Sequence, residues 1–194
     1  MEPNRKLYSV SESYWIFYNG IRTMHYMYSA KRKKEINSQF IERIMLAVTE
    51  VNNCKLCSNA HTKKALEYGM NKEEIQNILA GNMDDIPADE LEAVIFAQHY
   101  ADTRGNPTKK AWERIIKVYG TPKAKGILGS IRTIMIGNTY GLPWSSFFNR
   151  FKGKPDPRSS LKYELSMILG TFLVPISLTH AILSDLFKKP VINF

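Results

Sequence analysis

The residues best suited to chemistry form a C-x-x-C-x-x-x-H run from Cys54 to His61, which contains both cysteines of the chain. Side chains three residues apart on a helix lie about 5 to 6 Å apart, so Cys54 and Cys57 could cycle between a dithiol and a disulfide. His61 follows Cys57 at a spacing at which helical side chains also meet, so its imidazole could accept the thiol proton. The run therefore predicts a redox-active site on one face of a helix.

The position of Cys54 gives this sulfur a second means of activation. Asn52 and Asn53 are suitable N-caps, and a cap there would place Cys54 in the first turn of its helix. The partial positive charge at the start of a helix lowers the pKa of a thiol. We therefore expect the helix terminus to activate Cys54 and His61 to activate Cys57, and the sequence does not decide which sulfur attacks first.

Two other interpretations of the run remain open. Ala65 and Tyr68 lie on the same helical stripe as Cys54, Cys57 and His61. Such a stripe would also suit a helix that faces the core, in which the cysteines are packing residues without a redox role. Two cysteines and a histidine also supply three zinc ligands, although the run lacks the distant second ligand pair of a structural zinc module. The sequence gives no sign of haem, flavin or nucleotide binding, so we expect no cofactor and no metal.

The sequence around the run resembles a known family. Residues 41–62 (IERIMLAVTEVNNCKLCSNAHT) and their continuation over 65–81 resemble the core of the alkylhydroperoxidase D and carboxymuconolactone decarboxylase superfamily. The similarity covers about residues 37–100, and residues 137–140 and 151–155 are similar to a peroxidase-related branch. The resemblance implies an all-α, alkylhydroperoxidase D-like helical bundle that assembles as a homo-oligomer.

The resemblance also implies an activity and a site. In this family paired cysteines reduce a peroxide, a dithiol donor re-reduces them, and a glutamate and a histidine form a proton relay. The matching relay positions in this chain are Glu42 and His61. Peroxidases of the family often have a histidine between the cysteines, where this chain has Leu56, and the decarboxylases use no cysteine pair, which disfavours decarboxylation here. We therefore expect a thiol-dependent peroxidase acting on hydrogen peroxide or organic hydroperoxides.

Two glutamates are candidates for the relay. Glu42 points away from the apolar side of the helix predicted over 36–51, and this pattern alone predicts a solvated side chain. Leu46 and Thr49 share its side, however, so this face could instead meet the cysteine helix or another subunit. We favour Glu42 on the family spacing and keep Glu50 as the second choice.

Composition limits the class of protein. A chain of 194 residues that is 44% hydrophobic suits one domain or a domain with an appendage. A single C-x-x-C fits a reducing compartment, and the first residues lack the apolar stretch of a signal peptide, so we expect a cytoplasmic protein. The net charge of +9 and the cluster KRKK at 31–34 raise the question of nucleic acid. No aromatic-interleaved basic motif accompanies them, and we do not expect nucleic-acid binding.

Helical periodicity recurs along the chain, and convincing strand alternation does not. The patterns predict helices over 11–30, 36–51, 87–102, 107–119 and 123–138, and a further helix that Asn71 begins and Gly81 ends. We expect residues 1–150 to form the helical domain and residues 151–194 to form a linker and an apolar helical extension.

The apolar composition of the extension raises the question of membrane contact. Residues 165–184 contain no charged side chain apart from a protonated His180, and their length matches a membrane span. Pro175 interrupts the stretch, which favours two short helices packed on the core or on a partner subunit over membrane contact. Two other functions stay open, a thiol-disulfide oxidoreductase acting on protein partners and a non-enzymatic membrane-attached protein.

Overall fold

The computed structural model describes residues 7–192 and 194, and within them all regular structure is helical. The helices in chain order are α1 (Val10–Arg32), α2 (Ser38–Asn52), α3 (Lys55–Glu67), α4 (Lys72–Leu79), α5 (Leu91–Asp102), α6 (Lys109–Arg150), α7 (Leu161–Gly170) and α8 (Val174–Leu186). A 3-10 turn, Thr171–Leu173, joins the last two. The described residues contain no strand, so the predicted all-α class is confirmed.

Local capping sets several helix boundaries. The side chain of Asn71 accepts the N–H of Glu74 and begins α4, and Gly81 follows the end of this helix with a φ of 82°. The predicted boundaries of α4 are therefore confirmed. At α1, Ser9 and Glu12 form a reciprocal capping box.

Helix α6 combines two segments that the sequence separates. Gly120 has φ 72° and ψ 156°, which breaks the helix at the predicted position. The second segment continues to Arg150, well beyond the predicted end at residue 138. Leu142 and Ser146 in this continuation are buried, so tertiary packing holds the helix together across Pro143.

Helix α2 lies at the centre of the molecule. It contacts α3, α4, α5 and α6, and every side chain from 40 to 49 is buried. One side of α2 joins the main core through Phe40, Ile44 and Val48, and the opposite side joins a second apolar cluster through Leu46 and Ala47. The predicted solvated side of this helix is therefore wrong, because α3 and α4 cover it.

A tight reversal connects α2 to α3. Asn53 ends α2 in the left-handed conformation, with φ 51° and ψ 48°, which asparagine adopts more readily than most residues. At the end of α2 and α3 that lies away from this reversal, Gln39 Nε2 donates to the carbonyl of Tyr68 at 2.8 Å. Gln39 is near the start of α2, and Tyr68 follows the end of α3. The two helices are therefore an antiparallel hairpin.

The extension forms two short helices, as predicted. The chain changes from α7 to α8 through the 3-10 turn immediately before Pro175. Helix α7 packs on α6 and α8 packs on α1. The main polar contact of α7 is Glu164, which is fully buried and accepts from Arg150 Nε at 2.9 Å and from Ser146 Oγ at 2.7 Å.

We expect the carboxylate of Glu164 to stabilise the fold in a pH-dependent way. Hydrogen bonds from Arg150, Ser146 and Ser159 lower the pKa of Glu164 from 4.5 to about 2, so its stabilising contribution is complete above pH 4.5 and is lost as the pH falls toward 2. We expect Glu164→Gln to reduce the free energy of unfolding by about 2 kcal/mol near neutral pH. Urea unfolding across this pH range should show the difference from wild type shrinking on acidification.

Glu113→Gln is the matched control for this prediction. Glu113 is exposed and pairs with Lys109 at 3.8 Å on the surface of α6. Its replacement should change the free energy of unfolding by no more than about 0.5 kcal/mol. Equal losses in the two variants, or a Glu164→Gln difference that does not depend on pH, would contradict the assigned role of Glu164.

Candidate redox site

The two cysteines are joined in a disulfide at the start of α3, with their Cα atoms 5.3 Å apart. Asn52 and Asn53 do not cap this helix, because Asn53 ends α2 and Cys54 is itself the N-cap of α3. The Sγ of Cys54 accepts the backbone N–H of Cys57 at 3.3 Å. An N–H directed at a sulfur stabilises a thiolate once the pair is reduced, so the helix terminus acts on Cys54 through a specific contact.

His61 lies one helical turn after Cys57 on α3 and is held by a carboxylate of α2. Its Nδ1 is 2.7 Å from Glu42 Oε2, and both side chains are largely withdrawn from solvent. A buried carboxylate beside Nδ1 favours the tautomer that donates from Nδ1, which leaves Nε2 to accept a proton. The structure thus brings Glu42 and His61 together, although the helical pattern had placed Glu42 in water.

The carboxyl group of Glu50 points toward α5 and the turn after α4. Its Oε2 accepts from Gln98 Nε2 on α5 at 3.5 Å, and its carboxyl group borders the turn at Gly81 after α4. Of the two candidate glutamates, the one that contacts the histidine is Glu42.

The rest of the predicted stripe divides between core and surface. Ala65 is fully buried in the second apolar cluster, whereas Tyr68 follows the end of α3 and is 43% exposed. Both cysteines border the main core, with 2% of Cys54 and 7% of Cys57 exposed. The cysteines therefore pack as core residues do, and Cys57 lies one helical turn before a hydrogen-bonded histidine.

The part of α6 that covers the sulfurs is not among the predicted site residues. An added Cβ on Gly141 would lie 3.1 Å from Cys57 Sγ and 3.4 Å from Cys54 Sγ, so the backbone of α6 passes directly over the disulfide. One turn earlier, Asn138 Nδ2 and Thr139 Oγ1 are buried and lack a hydrogen-bond partner in the described part of the chain. A glycine inside a helical pattern often has a packing reason, and Gly141 was the available signal.

A cavity of about 220 Å³ lies beside the first turn of α3. Its lining includes Lys55 and Leu56, which separate the two cysteines, and Leu142, which follows Gly141 on α6. Residues 154–157 of the linker form another wall. The cavity gives a small molecule or an extended side chain room beside the two residues that separate the cysteines.

The described residues hold no group of three or more His, Cys, Asp or Glu side chains that could bind a metal ion. At the site itself, the two sulfurs are bonded to each other and the histidine is paired with Glu42. The arrangement fits electron transfer at sulfur assisted by proton transfer at the imidazole.

Comparison with known proteins agrees with these observations. The model of the carboxymuconolactone decarboxylase family matches residues 21–98, a segment that includes Glu42, both cysteines and His61. No curated protein and no solved structure matches the chain. The family resemblance read from the sequence is thus confirmed over residues 21–98, which are similar to the carboxymuconolactone decarboxylase family.

Proposed function

We propose that this protein is a thiol-dependent peroxidase that reduces hydrogen peroxide or organic hydroperoxides. The observation that carries the proposal is the position of the Cys54–Cys57 disulfide one turn before a buried His61–Glu42 pair on the same hairpin. A peroxidase of this kind needs two sulfurs within bonding distance and a group that moves protons beside them. The similarity of residues 21–98 to the carboxymuconolactone decarboxylase family is compatible with such redox chemistry.

The first step uses the reduced protein. His61 Nε2 takes the proton of the Cys57 thiol, and Glu42 stabilises the resulting imidazolium through Nδ1. The Cys57 thiolate attacks the nearer oxygen of the peroxide and the O–O bond breaks. Cys57 becomes a sulfenic acid, and the leaving oxygen takes the proton from His61 to depart as water or an alcohol.

The second step returns the site to the disulfide state. The Cys54 sulfur, stabilised as a thiolate by the Cys57 N–H, attacks the sulfenic sulfur of Cys57. The S–S bond forms and the sulfenic oxygen leaves as water after protonation. A dithiol donor, either a protein or a lipoyl-type group, then reduces the disulfide by thiol-disulfide exchange and is itself oxidised. The cavity beside Lys55 and Leu56 would admit that donor.

Stopped-flow mixing of the reduced protein with hydrogen peroxide and with an organic hydroperoxide tests the proposal. We expect loss of two thiols for each peroxide reduced, at a rate at least about a hundredfold above that of free cysteine. A rate equal to that of free cysteine would contradict a peroxidase. Rapid disulfide exchange with a protein dithiol without peroxide turnover would instead identify a thiol-disulfide oxidoreductase.

Single cysteine variants test which sulfur attacks. In Cys54→Ser we expect a sulfenic acid to accumulate on Cys57, because the sulfur that condenses with it is absent. In Cys57→Ser the remaining Cys54 should react at least about tenfold more slowly, since His61 is two turns away from it. Trapping with a sulfenic-acid-specific reagent and mass spectrometry would locate the adduct. A stable adduct formed on Cys54 alone would reverse the assignment.

The close approach of α6 predicts a steric effect on the same reaction. Gly141→Ala would force a methyl group against both sulfurs, and we expect the peroxide reaction to slow about tenfold as the pair is displaced. Gly137→Ala is the control, since its added Cβ would meet only Ile134 Cδ1 at an ordinary 3.7 Å. The control should keep the wild-type rate and gain up to about 1 kcal/mol of stability. Equal rates in the two variants would show that α6 does not constrain the dithiol.

A further inference from the structure

Helices α7 and α8 expose most of their large apolar side chains and pack small side chains inward. A helix on the surface of a soluble protein normally does the reverse. The side chains that pack inward on α8 are small, namely Ser177, Ala181 and Ser184. Six large apolar side chains point outward. They follow one another at spacings of four, three, four, seven and four residues, which place them on one side of α7 and α8. This outer face consists of Leu165, Leu169, Phe172, Ile176, Leu183 and Phe187, each between 42% and 76% exposed.

Such a face is costly to leave in water. Monomeric soluble proteins rarely expose a contiguous apolar patch of more than a few hundred Å², and a larger one marks an interaction site. By length and composition, the run Leu161–Leu186 is apolar enough to cross a membrane, yet little of it is buried in the protein. The outer face therefore requires an apolar partner.

The inner contacts of the extension prevent it from crossing a bilayer. Ser177 Oγ donates to the carbonyl of Tyr14 at 3.2 Å, and the hydroxyl of Tyr14 lies 3.0 Å from His180 Nδ1. At the end of α8, Asp185 accepts from Arg22 Nε at 2.7 Å. A helix bound along one side to a folded domain can lie on a membrane surface but cannot span it.

Both ends of the outer face carry positive charge. The acidic residues at these ends are already paired, Glu164 with Arg150 and Asp185 with Arg22. The lysines near the two ends are exposed and take part in no ion pair within the described chain: Lys152, Lys154, Lys162, Lys188 and Lys189. The apolar face is therefore bordered by cations.

This charge pattern favours an anionic bilayer over a second copy of the chain. A two-fold dimer through the outer face would bring cationic ends against cationic ends, whether the paired helices ran parallel or antiparallel. Anionic phospholipid headgroups instead complement lysines beside an apolar helix. Exposed aromatic side chains near the extension, Trp15, Phe148 and Phe151, are of the kind that collects at the membrane interface.

We propose that the outer face docks the protein on the surface of an anionic phospholipid bilayer. Helices α7 and α8 lie parallel to the membrane plane, their large apolar side chains enter the acyl boundary, and the bordering lysines contact headgroup phosphates. The domain with the redox site remains outside the bilayer, attached through α1 and α6. This docking does not depend on the proposed peroxidase activity.

Vesicle flotation of the full chain tests the proposal with two lipid compositions. We expect binding to vesicles made of equal parts phosphatidylcholine and phosphatidylserine, weaker binding to phosphatidylcholine alone, and a loss of this preference at high salt. The variant Leu169→Ser/Phe172→Ser/Ile176→Ser should bind more than about a hundredfold more weakly, because three inserted side chains are lost. Lys188→Ala/Lys189→Ala should weaken binding to the anionic vesicles about tenfold or more.

The control replaces three apolar residues that are also exposed, at 46–51%, on other helices, Leu66→Ser/Ile95→Ser/Val118→Ser. Its vesicle binding should equal that of wild type, and circular dichroism should show that all variants keep their helices. Absence of wild-type flotation, equal binding to both lipid compositions, or equal losses in the two triple variants would overturn the proposal. A dimer in light scattering that the outer-face variant dissociates, without vesicle binding, would show that the face pairs two chains instead.

Discussion

The reversal of the chain at Asn53 is the constraint on which the site depends. Its left-handed conformation ends α2 and lets Cys54 cap α3 with no intervening loop. Because the two helices then run antiparallel, positions near the start of α2 lie opposite positions beyond the first turn of α3. This geometry explains why a glutamate far before the cysteines meets a histidine just after them. The hairpin is held at one end by Gln39 and at the other by Arg158, which donates to the carbonyl of Asn53 at 2.9 Å.

The central position of α2 explains how its polar side chains can be buried. Arg43 pairs with Glu74 at 2.5 Å and with Glu90 at 2.9 Å, which ties α2 to α4 and to the start of α5. Glu42, the neighbour of Arg43, is satisfied by His61 on α3. A buried charge persists in a protein when it is paired and hydrogen-bonded. The Glu42–His61 pair is therefore a structural contact between α2 and α3.

Sequence reasoning succeeded where the determining interactions are local. The cap of α4, the break at Gly120 and the division of the extension near Pro175 all follow from residues close to the boundary. It failed where distant elements decide: the periodic pattern placed Glu42 in water because the sequence does not show that α3 covers this side of α2. The contact of Gly141 with the sulfurs joins residues far apart in the chain, and the family resemblance stopped short of it at residue 140. In the extension, composition revealed the apolar stretch but not which of its side chains face outward.

The central claim is that Glu42, acting through His61, activates Cys57, and thiol reactivity measures this directly. The rate of alkylation of Cys57 should be followed against pH in a Cys54→Ser background, alone and combined with Glu42→Gln or Glu50→Gln. We expect Glu42→Gln to slow alkylation at neutral pH about tenfold and to move the profile to higher pH, because the imidazolium loses its carboxylate. Glu50→Gln should leave the profile unchanged, since its carboxyl group lies near α5 and the turn after α4. Identical profiles for Glu42→Gln and its parent, or an equal effect of Glu50→Gln, would contradict the activation of Cys57 by Glu42.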